Sequence, residues 1–169
     1  MKAPSEEIYK FCPKCASNMV YKVVDHQQAQ TCPKCGFIFW NNPKPVTSIV
    51  ISKEGKVLLV RRANEPLKGH WCLPGGFIRF EETPEEAIKR ETKEEIGLEP
   101  KIGKIVGVYR IDNDPRGIHL DIIYEGSASG EVNLSDEHDD YKYLAPESLP
   151  DKVAYKHSEA IRDWAKTGK

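Results

Sequence analysis

The sequence predicts an α/β (α+β) fold, with helices packed on a mixed sheet and a small cysteine-bearing β module ahead of them. Three observations carry that prediction. Four cysteines fall in two "CPKC" units near the N-terminus. The composition breaks at "NNPKP", Asn41 to Pro45, where prolines and asparagines interrupt periodic structure. Beyond it, strand-like and helix-like patterns alternate. A chain of 169 residues holds one ordinary domain plus such a module. The expected division is residues 1–40 and 41–169.

In the first segment, Cys12, Cys15, Cys32 and Cys35 form a CxxC–x16–CxxC pattern. Each CxxC turn presents two sulfurs to one point, which suits tetrahedral zinc. All four positions come from protein, so the expected role of Zn²⁺ is structural. "NMVYKVVDHQQAQT" between the pairs reads as the hairpin of a zinc ribbon, with His26 on its surface. Gly36 follows the second pair, where a turn often requires positive φ. Lys10, Lys14, Tyr21, Lys22, Lys34 and Trp40 give the module a mildly basic, aromatic character. The apolar run Phe37 to Trp40 is expected to pack the ribbon onto the following domain, a reading preferred to nucleic-acid binding.

The second segment opens with "VTSIVIS" and "KVLLVRR", a hairpin joined by "KEG". Trp71 is expected under the "LPGG" loop, and Cys72 reads as a small buried hydrophobe. "TPEEAIKRETKEEIG" is a helix with Thr83 as N-cap, Pro84 at the first helical position, Glu86 closing a capping box and Gly97 as the stop. "IGKIVGVYRI" and "IHLDIIY" form a second strand pair around "DNDPRG", and "DYKYLA" is a further short strand. "YKHSEAIRDWAK" is a closing helix whose stripe of Tyr155, Ser158, Ile161, Trp164 and Ala165 should dock on the sheet. His70, His119, His138 and His157 show no partner pattern and receive no role.

Acidic and basic residues nearly balance, for a net charge of -1, which speaks against wholesale binding to nucleic acid or to an acidic membrane surface. No export signal and no membrane-length apolar run is read, so the expected location is cytoplasmic, without a membrane partner. The register of the first helix is more telling. At about 100° per residue, Glu91 and Glu95 fall within about 60° of Ile88, the centre of the apolar face. Lys89, Arg90 and Lys93 point toward solvent. Carboxylates turned against a core face repel one another and lose hydration, unless a divalent cation compensates them. Oxygen ligands of this kind favour Mg²⁺ or Mn²⁺.

Gly76, Glu82, Arg90, Glu91, Glu94, Glu95, Gly97 and Leu98 match the Nudix box, G-x5-E-x7-R-E-U-x-E-E-x-G-U, and the chain thereby resembles Nudix hydrolases. Thr92 stands where the family has a bulky aliphatic residue. The resemblance spans Val46 to about Trp164. It implies an α/β/α sandwich and hydrolysis of a nucleoside diphosphate linked to another group. It implies Mg²⁺ (or Mn²⁺) held by Glu82, Glu91, Glu94, Glu95 and the Gly76 carbonyl (or that of Gly75), with Arg90 positioning the carboxylates. Glu94 or Glu91 would take the proton of the attacking water, or a carboxylate from "SDEHDDY" would, Asp140 or Glu137. Arg61, Arg62, Phe77, Tyr109 and Arg110 are the candidates for stacking on adenine and for meeting the diphosphate.

A ribbon ahead of such a domain is similar to the NADH pyrophosphatase group and its relatives acting on FAD or ADP-ribose, commonly homodimers. Where the NADH group carries "SQPWPFPxS", this chain has "GVYRIDNDPRG". ADP-ribose or an ADP-containing dinucleotide (NADH, FAD), cleaved to release AMP, is therefore the expected substrate. Two alternatives stay open at this point: a house-cleaning nucleoside triphosphate pyrophosphatase, and a non-enzymatic nucleic-acid-binding or nucleotide-sensing module.

Overall fold

The structure is a computed structural model and describes residues 9–167. Two compact units meet at Asn42/Pro43. The first is a three-stranded antiparallel sheet, order β1-β2-β3, built from β1 (Val20–Val24), β2 (Gln27–Thr31) and β3 (Ile38–Phe39). The β1–β2 turn places Asp25 and His26 at φ 46° and 64°. Two successive positive φ values match the right-handed twist of a two-residue hairpin, and aspartate tolerates them. Phe37 and Phe39 pack inside this unit, on Cys12, Met19 and Cys32. A unit this small has few apolar residues to bury, so its own aromatics are drawn to the centre.

The second unit is a mixed sheet flanked by two helices. Its strands are β4 (Lys44–Lys53), β5 (Lys56–Arg62), β6 (Trp71–Cys72), β7 (Gly75–Phe77), β8 (Pro100–Ile111), β9 (His119–Ala128) and β10 (His138–Leu144). The main order is β10-β5-β4-β9-β8, with β4 and β9 parallel and the other neighbours antiparallel. Side chains alternate across the sheet. Ile49, Ile51, Leu58 and Val60 pack with Ile88 and Ile96 of α1 (Pro84–Ile96). Val50, Val57 and Leu59 pack with Ala160 and Ile161 of α2 (His157–Thr167). Because β4 and β5 are covered on both faces, they read as continuous apolar runs, not as alternating ones. Among the described residues, no helix is long and apolar enough to cross a membrane.

One irregularity positions the site. β4 pairs with β5 only at Ser52–Lys53, next to the turn. Further along, β7 pairs with β4 at Val46–Ser48 and β6 pairs with β5 at Val60–Arg61. The two central strands thus splay, and "WCLPGGF" fills the gap between them. α1 then begins with the capping box of Thr83 and Glu86 and ends at Gly97, φ 73°. Thr92 is buried and its hydroxyl donates to the Ile88 carbonyl at 2.6 Å, so this side chain satisfies its polar atom within the helix. α2 starts two residues later than the sequence suggests, because Tyr155 adopts φ 55°. Its buried face is consequently His157, Ala160 and Ile161, and Ser158 is only half-buried.

Candidate active site

A cavity of about 360 Å³ opens where β4 and β5 separate, within the size range of small-molecule sites. The Gly75–Gly76 backbone lies against its α1 side. Glu95 is buried, and its Oε2 accepts the Gly75 N–H at 2.9 Å. Burial pushes its carboxyl well above the usual range, against the pull of that amide. Burial likewise raises Glu91. Gly76 has no room for a side chain: a Cβ there would lie 2.6 Å from the Glu91 carboxylate. Gly75, at φ 152°, would put a Cβ 2.2 Å from the Thr47 carbonyl oxygen.

Arg90 organises the remaining carboxylates. Its Nε and Nη2 donate to the two oxygens of Glu82, at 2.5 and 2.8 Å. Nη1 donates to Glu91 at 2.7 Å and to Glu94 at 3.0 Å, and Nη2 also reaches the Phe77 carbonyl at 3.1 Å. A planar guanidinium suits this fork, since five donors leave it in fixed directions. Hydrogen bonding to Arg90 holds the Glu82 carboxyl down at about 2. Glu82 also accepts from the Arg79 amide at 3.0 Å, so both its oxygens tie the loop to α1. Glu94 is half exposed at the cavity edge, with Arg79 3.5 Å away.

The residues suggested for the substrate divide. Arg62 and Phe77 line the cavity. Arg61 lies outside its lining, paired with Asp139 at 2.6 Å and stacked over Trp71. Tyr109 faces α2, where its hydroxyl donates to Asp163. Arg110 is exposed and pairs with Asp112. Asp140 sits beside Arg61 and accepts from its own neighbour's amide, whereas Glu137 lines the cavity. Arg61 and Asp140 share the β5–β10 register, which turns both away from the cavity.

Several cavity residues carried no signal as site residues. Arg116 stacks on Phe77 at 5.1 Å and is held by Asp114. Asp121 accepts from Ser48 at 3.0 Å and faces His157 Nε2 at 3.2 Å. His119 and Asp121 alternate with Ile123 on one face of β9, which is the buried face. Two polar residues at those positions in "IHLDIIY" were the available clue.

In the first unit, each CPKC turn folds the same way. Ala16 N–H donates to Cys12 O at 2.8 Å and Gly36 N–H to Cys32 O at 3.0 Å, with positive φ at both Ala16 and Gly36. The four thiols are free, and their sulfurs lie within 4.8 Å of one another. Among the described residues this is the one set of potential ligand atoms already gathered so closely. The Ser17 backbone and hydroxyl lower the Cys15 thiol to about 6, toward the thiolate that binds zinc. Four soft sulfurs so placed fit Zn²⁺. The buried glutamates and the bare glycine backbone fit a hard divalent cation.

From the glycine loop to the cap of the carboxylate-bearing helix behind it, the chain carries every fixed letter of the Nudix box. Residues 42–164 match the family model of the NUDIX domain. The chain belongs to the Nudix hydrolases, a pyrophosphatase family. An ADP-ribose pyrophosphatase of Methanocaldococcus jannaschii is 39% identical over 125 residues, covering 73% of each chain. A NAD-capped RNA hydrolase, NudC, of Pseudomonas aeruginosa is 26% identical over 141 residues, 83% of this chain and 49% of that one. Among solved structures, a NUDIX hydrolase from Nitrosomonas europaea superposes with a TM-score of 0.76 at 24% identity, over 94% of this chain and 91% of that one. The NUDIX domain of Shewanella oneidensis NrtR, crystallised with ADP ribose, gives a TM-score of 0.65 at 23% identity, over 77% of this chain and 91% of that one.

Proposed function

We propose that this protein hydrolyses the diphosphate bond of ADP-ribose or another ADP-linked compound and releases AMP. The observation that carries the reading is the set of Glu91, Glu94 and Glu95 gathered by Arg90 and the glycine backbone at the rim of one cavity. Glu91, Glu94, Glu95 and the Gly76 carbonyl would hold Mg²⁺ or Mn²⁺. Bound there, the ion would offset the diphosphate charge and acidify water at phosphorus. Glu82 keeps Arg90 in place, and Arg90 in turn fixes the rotamers of Glu91 and Glu94. Glu94, half exposed at the edge, would accept a proton from water, and Glu137 is the second candidate for that role. Arg116 supplies a cation within the cleft for the substrate's phosphates. The four thiols would hold Zn²⁺, as a scaffold for the first unit.

The name of the Methanocaldococcus relative favours ADP-ribose over a nucleoside triphosphate. Incubating the protein with Mg²⁺ and ADP-ribose, NADH, FAD and a nucleoside triphosphate, with products resolved by chromatography, tests the proposal. AMP from the first three is expected. Pyrophosphate from the triphosphate alone would assign the house-cleaning activity instead, and no turnover of any would leave a binding module.

A further inference from the structure

Buried polar atoms need partners, and a buried acceptor left without one marks a place where a donor from outside belongs. Among the described residues, His119 Nε2 and Asp121 Oδ1 are two such atoms on one strand, both residues being almost wholly buried. They stand two apart on β9, hence on one face, and both line the cavity of the glutamates.

The surroundings fix what each atom can do. His157 Nδ1 accepts the Leu73 N–H at 2.9 Å, so the proton of its neutral ring resides on Nε2 and is donated to Asp121 Oδ2. Ser48 donates to that same oxygen. Oδ1 is left as an acceptor with nothing to accept. Asp114 Oδ2 lies 3.7 Å from His119 Nδ1, longer than a hydrogen bond, and its negative charge favours the ring proton on that side. Burial lowers the His119 pKa, so the ring is neutral near pH 7 and Nε2 is an acceptor too. Two acceptors side by side repel phosphate oxygens. They call for a compact group bearing two O–H or N–H donors.

We infer that Asp121 and His119 form a specificity-determining acceptor pair that receives a two-donor group of the substrate away from its diphosphate, either a ribose cis-diol or the adenine amine. This rests on the cleft being a nucleoside diphosphate site, and it goes beyond that reading by assigning the group read there. A carboxylate held from behind by Ser48 and His157 loses little freedom on binding, so the discrimination should be large.

The test is a matrix of substrates and variants with Mg²⁺ present. The substrates are ADP-ribose and three analogues: one with hypoxanthine for adenine, one lacking the adenosine 2′,3′-hydroxyls, and one with a methyl group for the terminal ribose. The wild-type protein is expected to lose roughly tenfold or more in kcat/KM on one analogue, which identifies the source of the donors. In Asp121→Asn, whose amide puts a donor where an acceptor stood, that penalty should shrink to a few-fold, with the effect in KM more than in kcat. His119→Gln gives a second, independent reading if the first variant is unstable in a thermal melt. Equal kcat/KM for all four substrates in the wild type, or an undiminished penalty in both variants, overturns the inference and leaves the diphosphatase reading intact. Wild-type protein inactive on every substrate would remove that reading, and the inference with it.

Discussion

At the scale of single residues, the two adjacent glycines answer different demands. A methyl group at Gly76 meets only the end of a flexible side chain, the Glu91 carboxylate. Gly76→Ala should therefore displace Glu91, and turnover should fall by about a hundredfold or more while the melting temperature moves little. Gly75→Ala instead drives a Cβ against the Thr47 carbonyl in a backbone conformation that L-residues avoid. A loss of folded protein in expression and melting assays is expected there. Glu95→Gln removes a charge that burial disfavours. The variant should be at least as stable as the wild type without Mg²⁺, and should lack the thermal stabilisation expected of the wild type on adding Mg²⁺. A wild-type-like response to Mg²⁺ in a melting titration would show that Glu95 holds no ion. The glutamates were legible because their register contradicts an ordinary solvated helix. Asp121 and His157 were not, because their meaning lies in a contact between β9 and α2, thirty-six positions apart in sequence.

At the scale of elements, α1 was readable to its ends because its punctuation is local. Thr83 and Glu86 exchange hydrogen bonds, and Gly97 closes the last turn through Lys93 O at 3.1 Å. Thr83→Ala should cost about 1 kcal/mol in denaturant unfolding, with a smaller effect on turnover than any change at Arg90. The faces of the strands were less legible. β4 and β5 are apolar on both sides, so no alternation told which way Arg61 points, and it turns to Asp139 instead of the cleft. Tyr109 was placed on a strand correctly, but the side of the sheet covered by α2 was not written in β8 itself. The splay that opens the cavity was invisible too. It depends on "WCLPGGF" pairing with two different strands, a long-range choice that no short window of sequence contains.

At the scale of the molecule, stability toward acid and toward chelators follows from groups in different units. His138 is buried beside Arg62, and desolvation lowers its pKa to about 4 from the usual 6.5. The folded state thus binds fewer protons than the unfolded chain between those values. Its contribution is fully present above pH 6.5 and is lost as pH falls toward 4, by at most ~1.4 kcal/mol per pH unit. His138→Gln should flatten the stability profile between pH 7 and 5, as urea midpoints would record. Glu82, held at about 2 by Arg90, adds a second loss between pH 4.5 and 2. For the first unit the expected sensitivity is to zinc. Among the described residues its buried apolar side chains are Cys12, Met19, Ala29 and Cys32, with Cys15, Phe37 and Phe39 packed on the cysteine cluster. So small a core is not expected to offset the conformational entropy of residues 9–42 without a staple. Zn²⁺ should be found at one equivalent per chain by elemental analysis, and Cys32→Ser or a strong zinc chelator should abolish a separate unfolding transition. The Mg²⁺-dependent cleavage proposed for the second unit should survive that treatment to within a few-fold once Mg²⁺ is restored. Loss of both transitions together on zinc removal would show that the sheet, too, depends on the thiol-bound ion.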